Sequence, residues 1–299
     1  MNYPYNYSVI VPHKNMPDLL RRYLQSIPRR EDIQIIVVDD NSDPTIVDFN
    51  NFPGIDDPLV EVYFTKEGRG GGYGRNVGYS HAKGKWLLFG DSDDFYNQGA
   101  FDIFDQYINS DIDILHYCIN CRDSSTLEPA TRNMPSNEAV KCFFLDPHKK
   151  INEENFRFRN FGCWNKMIKH DFFLKHNINF EEAIIDFDVF FSFQVGLFEE
   201  KFQVINDELY CLTVNRHSIS LSKRSIEREF EFYKMSLKRN GFYKKLGLHR
   251  LMRSYWLYFP YIFFHYGPKS ALKFYSLCLR NRKTLQVYYN EYVQKLLTK

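Results

Sequence analysis

Four largely apolar runs, each closed by polar or acidic residues, frame the N-terminal hundred residues: Tyr7-Ser-Val-Ile-Val-Pro12, the β-branched Ile33-Gln-Ile-Ile-Val-Val38, Leu59-Val-Glu-Val-Tyr-Phe64 and Lys85-Trp-Leu-Leu-Phe89. Runs of this length read as buried strands. After the first, Leu19, Leu20, Tyr23, Leu24 and Ile27 recur at helical spacing. Before the fourth, Arg75 to Ala82 forms a short helical stretch that stops near Gly84. Strand and helix in alternation argue for an α/β fold, a mostly parallel sheet with helices on both faces. Further along, Phe101 to Ile108 fits a helix and Ile112 to Cys118 a strand. Residues 122 to 160 read as polar and irregular, and the middle of Phe180 to Phe198 as helical.

The fourth run ends in Gly90-Asp-Ser-Asp-Asp-Phe-Tyr96. Ligands of open α/β sheets sit beyond the carboxyl ends of the strands. Three carboxylates crowded there repel one another unless a cation joins them, and such hard oxygens suit Mg²⁺ or Mn²⁺. A solvated Asp/Ser turn is the competing reading. A helix-loop-helix calcium site is excluded, because it needs Gly sixth and Glu twelfth, and Tyr96 and Asp102 stand there. The upstream stretch Gly68-Arg-Gly-Gly-Gly-Tyr-Gly74 satisfies neither the GxGxxG nor the GxxxxGK[ST] pattern. That argues against NAD enzymes and P-loop ATPases. Of six cysteines only Cys118 and Cys121 are close, with no second pair, so structural zinc is not expected. No basic region followed by an apolar one opens the chain, and a cytoplasmic setting with reduced thiols is expected.

The net charge of +2 conceals an asymmetry. Ser222 to Lys299 holds 17 Lys and Arg against 4 Asp and Glu, a balance of +13, which leaves −11 for the rest. This split predicts two parts with different partners, one over 1–222 and a helical basic and aromatic extension over 223–299. Within the extension, Ser254-Tyr-Trp-Leu-Tyr-Phe-Pro-Tyr-Ile-Phe-Phe-His-Tyr266 is too short to span a bilayer. Aromatics flanked by Lys and Arg suit the surface of an anionic membrane. A helical cap packing on the first part is the competing reading. No recognised nucleic-acid motif accompanies the basic charge.

Four ordered motifs carry a resemblance: Ser8-Val-Ile-Val-Pro-His-Lys-Asn15, Ile36-Val-Val-Asp-Asp-Asn-Ser-Asp43, Gly74-Arg-Asn-Val-Gly78 and Gly90-Asp-Ser-Asp-Asp94. In order and spacing over residues 7 to 96, and more weakly to about 222, the chain resembles the family-2 glycosyltransferases of GT-A fold. The resemblance implies inverting transfer of a sugar from a nucleotide-sugar, a UDP-sugar foremost, to a hydroxyl of a glycan or lipid-linked acceptor. It implies a nucleotide-binding half over 1–96, an acceptor half over 97–222, and a setting in bacterial surface polysaccharide assembly, with peripheral contact on the inner face of the membrane. It assigns Pro12, Asp40, Arg75, Asn76, Asp91, Ser92 and Trp164 to the nucleotide-sugar, with Asp40 accepting from the imide N–H of the base. Asp93 and Asp91 fall to Mn²⁺ or Mg²⁺, joined by His217 of Asn215-Arg-His-Ser-Ile-Ser220. Cys163-Trp-Asn-Lys-Met-Ile-Lys169 resembles the family's Asn-Lys-Leu-Tyr-Lys stretch, where Trp164 offers an apolar platform to a sugar face or packs in the core.

The general base is implied to lie in Phe180-Glu-Glu-Ala-Ile-Ile-Asp-Phe-Asp-Val-Phe-Phe191. Asp188 aligns with the family's Asp, while Phe187 replaces the Glu before it and leaves Asp186 as a rival base. That departure keeps a second class open, a non-catalytic carbohydrate- or membrane-binding protein on a decayed transferase fold.

Overall fold

The computed structural model describes residues 3–131, 134–183, 187–214, 225–252, 259–276 and 279. Two compact units divide the chain, Met1–Ser218 and Ile219–Lys299.

The first unit opens β1 (Tyr5–His13), α1 (Pro17–Gln25), β2 (Ile33–Asp40), β3 (Val60–Thr65), α2 (Gly71–Ser80) and β4 (Gly84–Phe89). It continues β5 (Phe95–Tyr96), α3 (Ala100–Asp105), β6 (Ile114–Asp123), α4 (Pro135–Leu145), α5 (Lys150–Arg159), β7 (Lys166–Lys169), α6 (His170–Lys175), α7 (Phe187–Phe198) and β8 (Phe202–Val214). One eight-stranded sheet runs β3-β2-β1-β4-β7-β6-β8-β5. β1, β2, β3 and β4 are mutually parallel, as are β6 and β8. β7 lies antiparallel to β4 and β6, and β5 antiparallel to β8.

Both faces of the sheet are buried, which is why its strands read as continuous apolar runs. Tyr7, Val9, Val11, Ile35, Val37, Trp86 and Leu88 turn to one face and pack with Leu20 and Tyr23 of α1 and Phe104 of α3. Ile10, Ile36, Val38, Leu87 and Phe89 turn to the other, against Phe172 and Phe173 of α6 and Phe191 and Val195 of α7. The alternation is the two-residue period of a pleated strand.

Glycine sets how closely α2 lies on that second face. A Cβ at Gly78 would stand 2.5 Å from Cγ2 of Ile10, and one at Gly74 would stand 3.0 Å from Cβ of Pro12. These two positions, one helical turn apart, let the backbone of α2 rest on β1. Gly68 and Gly70 serve differently, turning the preceding loop with φ of 61° and 92°.

Two helices, α4 and α5, replace the irregular excursion expected over 122–160. Their apolar faces are short and interrupted: Val140, Phe143 and Phe156 pack with Cys118 and Val204. Buried Asn137 of α4 pairs with the backbone N–H and carbonyl of Ile119, at 2.9 Å each. A buried face built partly on Asn carries little hydrophobic period, so the sequence signal was weak.

In the second unit α8 (Ile226–Lys245) is capped by Ser225, which accepts from the N–H of Arg228 at 3.3 Å. Phe230 of α8 packs with Ile262, Ala271 and Phe274 of a helix over 259–276. Among the described residues no helix is long and apolar enough to cross a membrane.

Candidate active site

The carboxyl ends of β1, β2 and β4 converge. His13, at the end of β1, pairs in register with Asp39. His13 Nε2 accepts from the N–H of Met16 at 3.0 Å, so Nδ1 carries the proton and donates to Asp39 at 2.8 Å. Asp39 also accepts from the hydroxyl and N–H of Ser42 at 2.5 and 2.9 Å. Burial alone would raise its pKa, but the bonds from His13 and Ser42 outweigh that and lower it. Asp39 is thereby a structural brace between strand ends.

Asp40, the next residue, reaches the glycine-rich loop. Its two oxygens accept from the N–H groups of Arg69 and Gly70 at 2.9 and 2.8 Å, and Lys14 stands 3.7 Å away. Asp40 thus holds the entrance of α2. A carboxylate has about four lone-pair sites, so two remain for a ligand.

The acidic turn follows β4. Gly90 is required there, since a Cβ would stand 2.0 Å from the hydroxyl oxygen of Tyr23. Carboxylate oxygens of Asp91, Asp93 and Asp94 all lie within 4.8 Å of one another. Asp91 pairs with Arg75, which is buried under it and also donates to the carbonyl of Gly90 at 3.4 Å. Asp94 is buried and accepts from the N–H of Thr213 at 2.7 Å. Burial first, then the charges of Asp93 and Asp91, push its pKa well above the usual carboxylate range. Ser92 is buried within the turn. Three hard oxygen donors, one of them strained as an anion, fit a divalent cation.

Residues that sequence reasoning missed brace this turn. Arg22 of α1 donates to the backbone carbonyls of Asp93 and Ser124 at 2.5 and 2.6 Å. The hydroxyl of Thr213 donates to the Asp93 carbonyl at 2.7 Å. The hydroxyl oxygen of Tyr210 accepts from the N–H of Asp91 at 2.9 Å. Tyr210-Cys-Leu-Thr-Val214 is itself a β-rich run and carried the signal for β8.

Asp188 sits in the first turn of α7, where the helix dipole favours a carboxylate. Its charge acts on Arg75 together with that of Asp91. Burial lowers the pKa of Arg75, yet Cys163, Asp91 and Asp188 together hold it above its ordinary value. The buried guanidinium that pairs with the acidic turn thus also lies within the field of the Asp188 carboxylate. Asn76 spends its amide on Phe180, accepting from its N–H and donating to its carbonyl at 2.9 Å each. It anchors the segment that leads to Asp188. Arg69 pairs with Glu182 and lies 4.7 Å from the centroid of the Tyr73 ring.

Trp164 is half-buried and stacks on Tyr210 with ring centroids 6.2 Å apart and planes within 6°. Pro12 is also half-buried, under Gly74. Asp186 and His217 lie outside the described residues, as do Arg216 and the side chain of Phe187.

A family model described as glycosyl transferase family 2 matches residues 8–173. The cholesterol galactosyltransferase of Borreliella burgdorferi is 23% identical over 271 residues, covering 86% of this chain and 74% of that protein. The minor teichoic acid biosynthesis protein GgaB of Bacillus subtilis is 28% identical over 189 residues, covering 60% of this chain and 20% of that protein. The crystal structure of S. aureus TarS 1-349 in complex with UDP-GlcNAc superposes with a TM-score of 0.57 at 20% identity. That match covers 78% of this chain and 66% of the TarS chain, and it is a likeness of fold. The chain spans just under two thirds of that TarS fragment and a fifth of GgaB.

Proposed function

The chain belongs to glycosyl transferase family 2 and is a glycosyltransferase, and from that premise we propose that it moves a sugar, with inversion, from a UDP-sugar to a hydroxyl of a glycan or lipid-linked acceptor in surface polysaccharide assembly. The observation that carries this reading is the meeting of Asp91, Asp93 and Asp94 beyond β4, with Arg75 paired to Asp91 and within the field of Asp188. Asp188 takes the proton of the acceptor hydroxyl as its oxygen attacks the anomeric carbon and the bond to the nucleoside diphosphate breaks. Asp40 and the loop it holds receive the nucleotide, and Trp164 receives a sugar face. Asp91, Asp93 and Asp94 would hold Mn²⁺ or Mg²⁺, which when bound offsets the charge of the departing diphosphate. Arg75 keeps Asp91 in place and balances the charge of the acid cluster.

Support for the donor comes from the TarS fold match with UDP-GlcNAc. Support for the acceptor class comes from relatives named for galactosyl transfer to cholesterol and for teichoic acid synthesis. The basic second unit extends the reading to an anionic membrane surface: Phe264 and Leu272 are exposed on the helix that carries Lys269 and Lys273.

A thermal-shift screen of nucleotide-sugars with and without Mn²⁺ tests the donor site, because a ligand that binds only the native state raises the Tm. We expect a Mn²⁺-dependent rise with one UDP-sugar, abolished in Asp93→Ala. No rise with any nucleotide or nucleotide-sugar would overturn the reading.

A further inference from the structure

Lys166, the first residue of β7, is fully buried, as are the polar groups around it. Its ammonium donates to the backbone carbonyls of Asn160, at 2.9 Å, and Gly162, and to Oδ1 of Asn165 at 3.0 Å. All three donors are thus satisfied by one short turn, 160–165. An ammonium taken from water costs several kcal/mol unless it is well paired, and burial pushes the pKa of Lys166 down to about 8, against the raising effects of Glu199, Cys163 and Asp188. A methionine would fill the same volume but take this donor from the buried carbonyls of Asn160 and Gly162 and from Oδ1 of Asn165, so the ammonium is what ties the turn together.

What it holds is traceable. Asn165 donates to Oδ1 of Asn160 at 2.7 Å, and Asn160 approaches Nδ1 of His116 at 3.3 Å. His116 Nε2 lies 2.8 Å from Glu199, which Arg157 of α5 faces at 3.6 Å. The turn is so fastened to β6, α5 and the end of α7. It carries Gly162 and Trp164. A Cβ at Gly162 would stand 2.7 Å from the Trp164 ring, so the glycine backbone forms the floor on which the indole lies. The hydroxyl of Tyr117 donates to the Trp164 carbonyl at 2.9 Å. The indole in turn stacks on Tyr210, whose hydroxyl oxygen accepts from the N–H of Asp91.

We propose that Lys166 is a positioning residue for sugar binding: by gripping the 160–165 turn from beneath, it presents the Trp164 ring as a fixed platform beside the acidic turn. The proposal rests on the reading of Trp164 as a sugar contact. A ring held in advance loses no rotamer freedom on binding, and such preorganisation raises affinity for the group it meets. The effect falls chiefly on the sugar: the turn reaches Asp91 only at second hand, through the stack of Trp164 on Tyr210, and Asp40 and the 68–70 loop have no bond to it among those described.

The test compares full-length wild type with Lys166→Met and Lys166→Arg, each paired with a Trp164→Phe counterpart so that the Trp164 fluorescence is obtained by difference. UDP and UDP-GlcNAc, each with Mn²⁺, are the binding probes. In Lys166→Met we expect Trp164 to become at least about twofold more quenchable by acrylamide, affinity for UDP-GlcNAc to fall about tenfold, and affinity for UDP to stay within about twofold, as the ordering argument requires. Lys166→Arg, which keeps charge and donors, recovers part of both losses. Unchanged Trp164 quenching in a folded Lys166→Met protein overturns the proposal. So does an equal loss of UDP and UDP-GlcNAc affinity, which marks a general support of the fold. If the wild type binds neither probe, the donor reading fails, and the quenching comparison still decides whether Lys166 holds the ring.

Discussion

Adjacent side chains in this site carry different burdens. Asp39 and Asp40 follow one another at the end of β2, yet the pleat turns the first to His13 and Ser42 and the second to the glycine loop. The motif Asp-Asp-Asn-Ser reveals both acids and cannot say which one braces and which one faces a ligand, because that depends on which strand end lies opposite. For Asp39→Asn we expect a loss of about 1–3 kcal/mol at pH 7, the cost of disturbing a buried, charge-assisted set of bonds. Its carboxyl is held below the usual range in the fold. The stabilisation is therefore present above the unfolded value, about pH 4, and fades as pH falls through the folded pKa. Urea unfolding of both proteins at pH 7 and near pH 2.5 checks this. A penalty of equal size at both would show that the ionised form of Asp39 is not what matters. The same scale explains why Arg22 and Thr213 escaped notice: each acts through backbone carbonyls of residues far along the chain, and nothing in their local sequence reports it.

At the scale of elements, the first four strands and both intervening helices were legible, because long apolar runs and a clear helical period survive any tertiary context. α4 and α5 were not, since their buried faces mix Asn and Glu with Phe. The glycines of this region divide their work in a way the residue type alone does not reveal. Gly74 and Gly78 bring α2 onto β1, while Gly68 and Gly70 shape the loop that Asp40 holds. Alanine at position 78 would gain about 1 kcal/mol in helix propensity and meet Ile10 at 2.5 Å. Overpacking of a tight core costs about 1–3 kcal/mol, so we expect Gly78→Ala to be destabilising, and more so than Gly74→Ala, whose contact with Pro12 is at 3.0 Å. Paired denaturant melts give the order directly, and a more stable Gly78→Ala protein would refute the packing account.

For the whole molecule, the excess of +13 over Ser222–Lys299 against −11 elsewhere makes it strongly dipolar in sequence. Exposed apolar side chains accompany that charge in the second unit. We expect the full-length protein to sediment with vesicles of anionic phospholipid and to be released by raising salt from about 0.05 to 0.5 M, as screening shortens the reach of the basic residues. Equal binding to purely zwitterionic vesicles would argue that charge has no part in it. Charge asymmetry was visible in the sequence. Which aromatics of that stretch stay exposed was not, because it depends on how the helix over 259–276 packs on Phe230 of α8.

The sheet order holds a consequence for how the enzyme comes into being. β4 is the fourth strand across the sheet and β5, which follows the acidic turn directly in the chain, is the eighth, paired among the described residues with β8 alone. The turn is thus a bridge whose far pier is laid last. Until residues 210–213 have been synthesised, Asp91 lacks Tyr210, and Asp93 and Asp94 lack Thr213. Such distant pairings form late and slowly. The backbone of the acidic turn and the carboxylate of Asp94 therefore take their final support from a strand more than a hundred residues further along the chain.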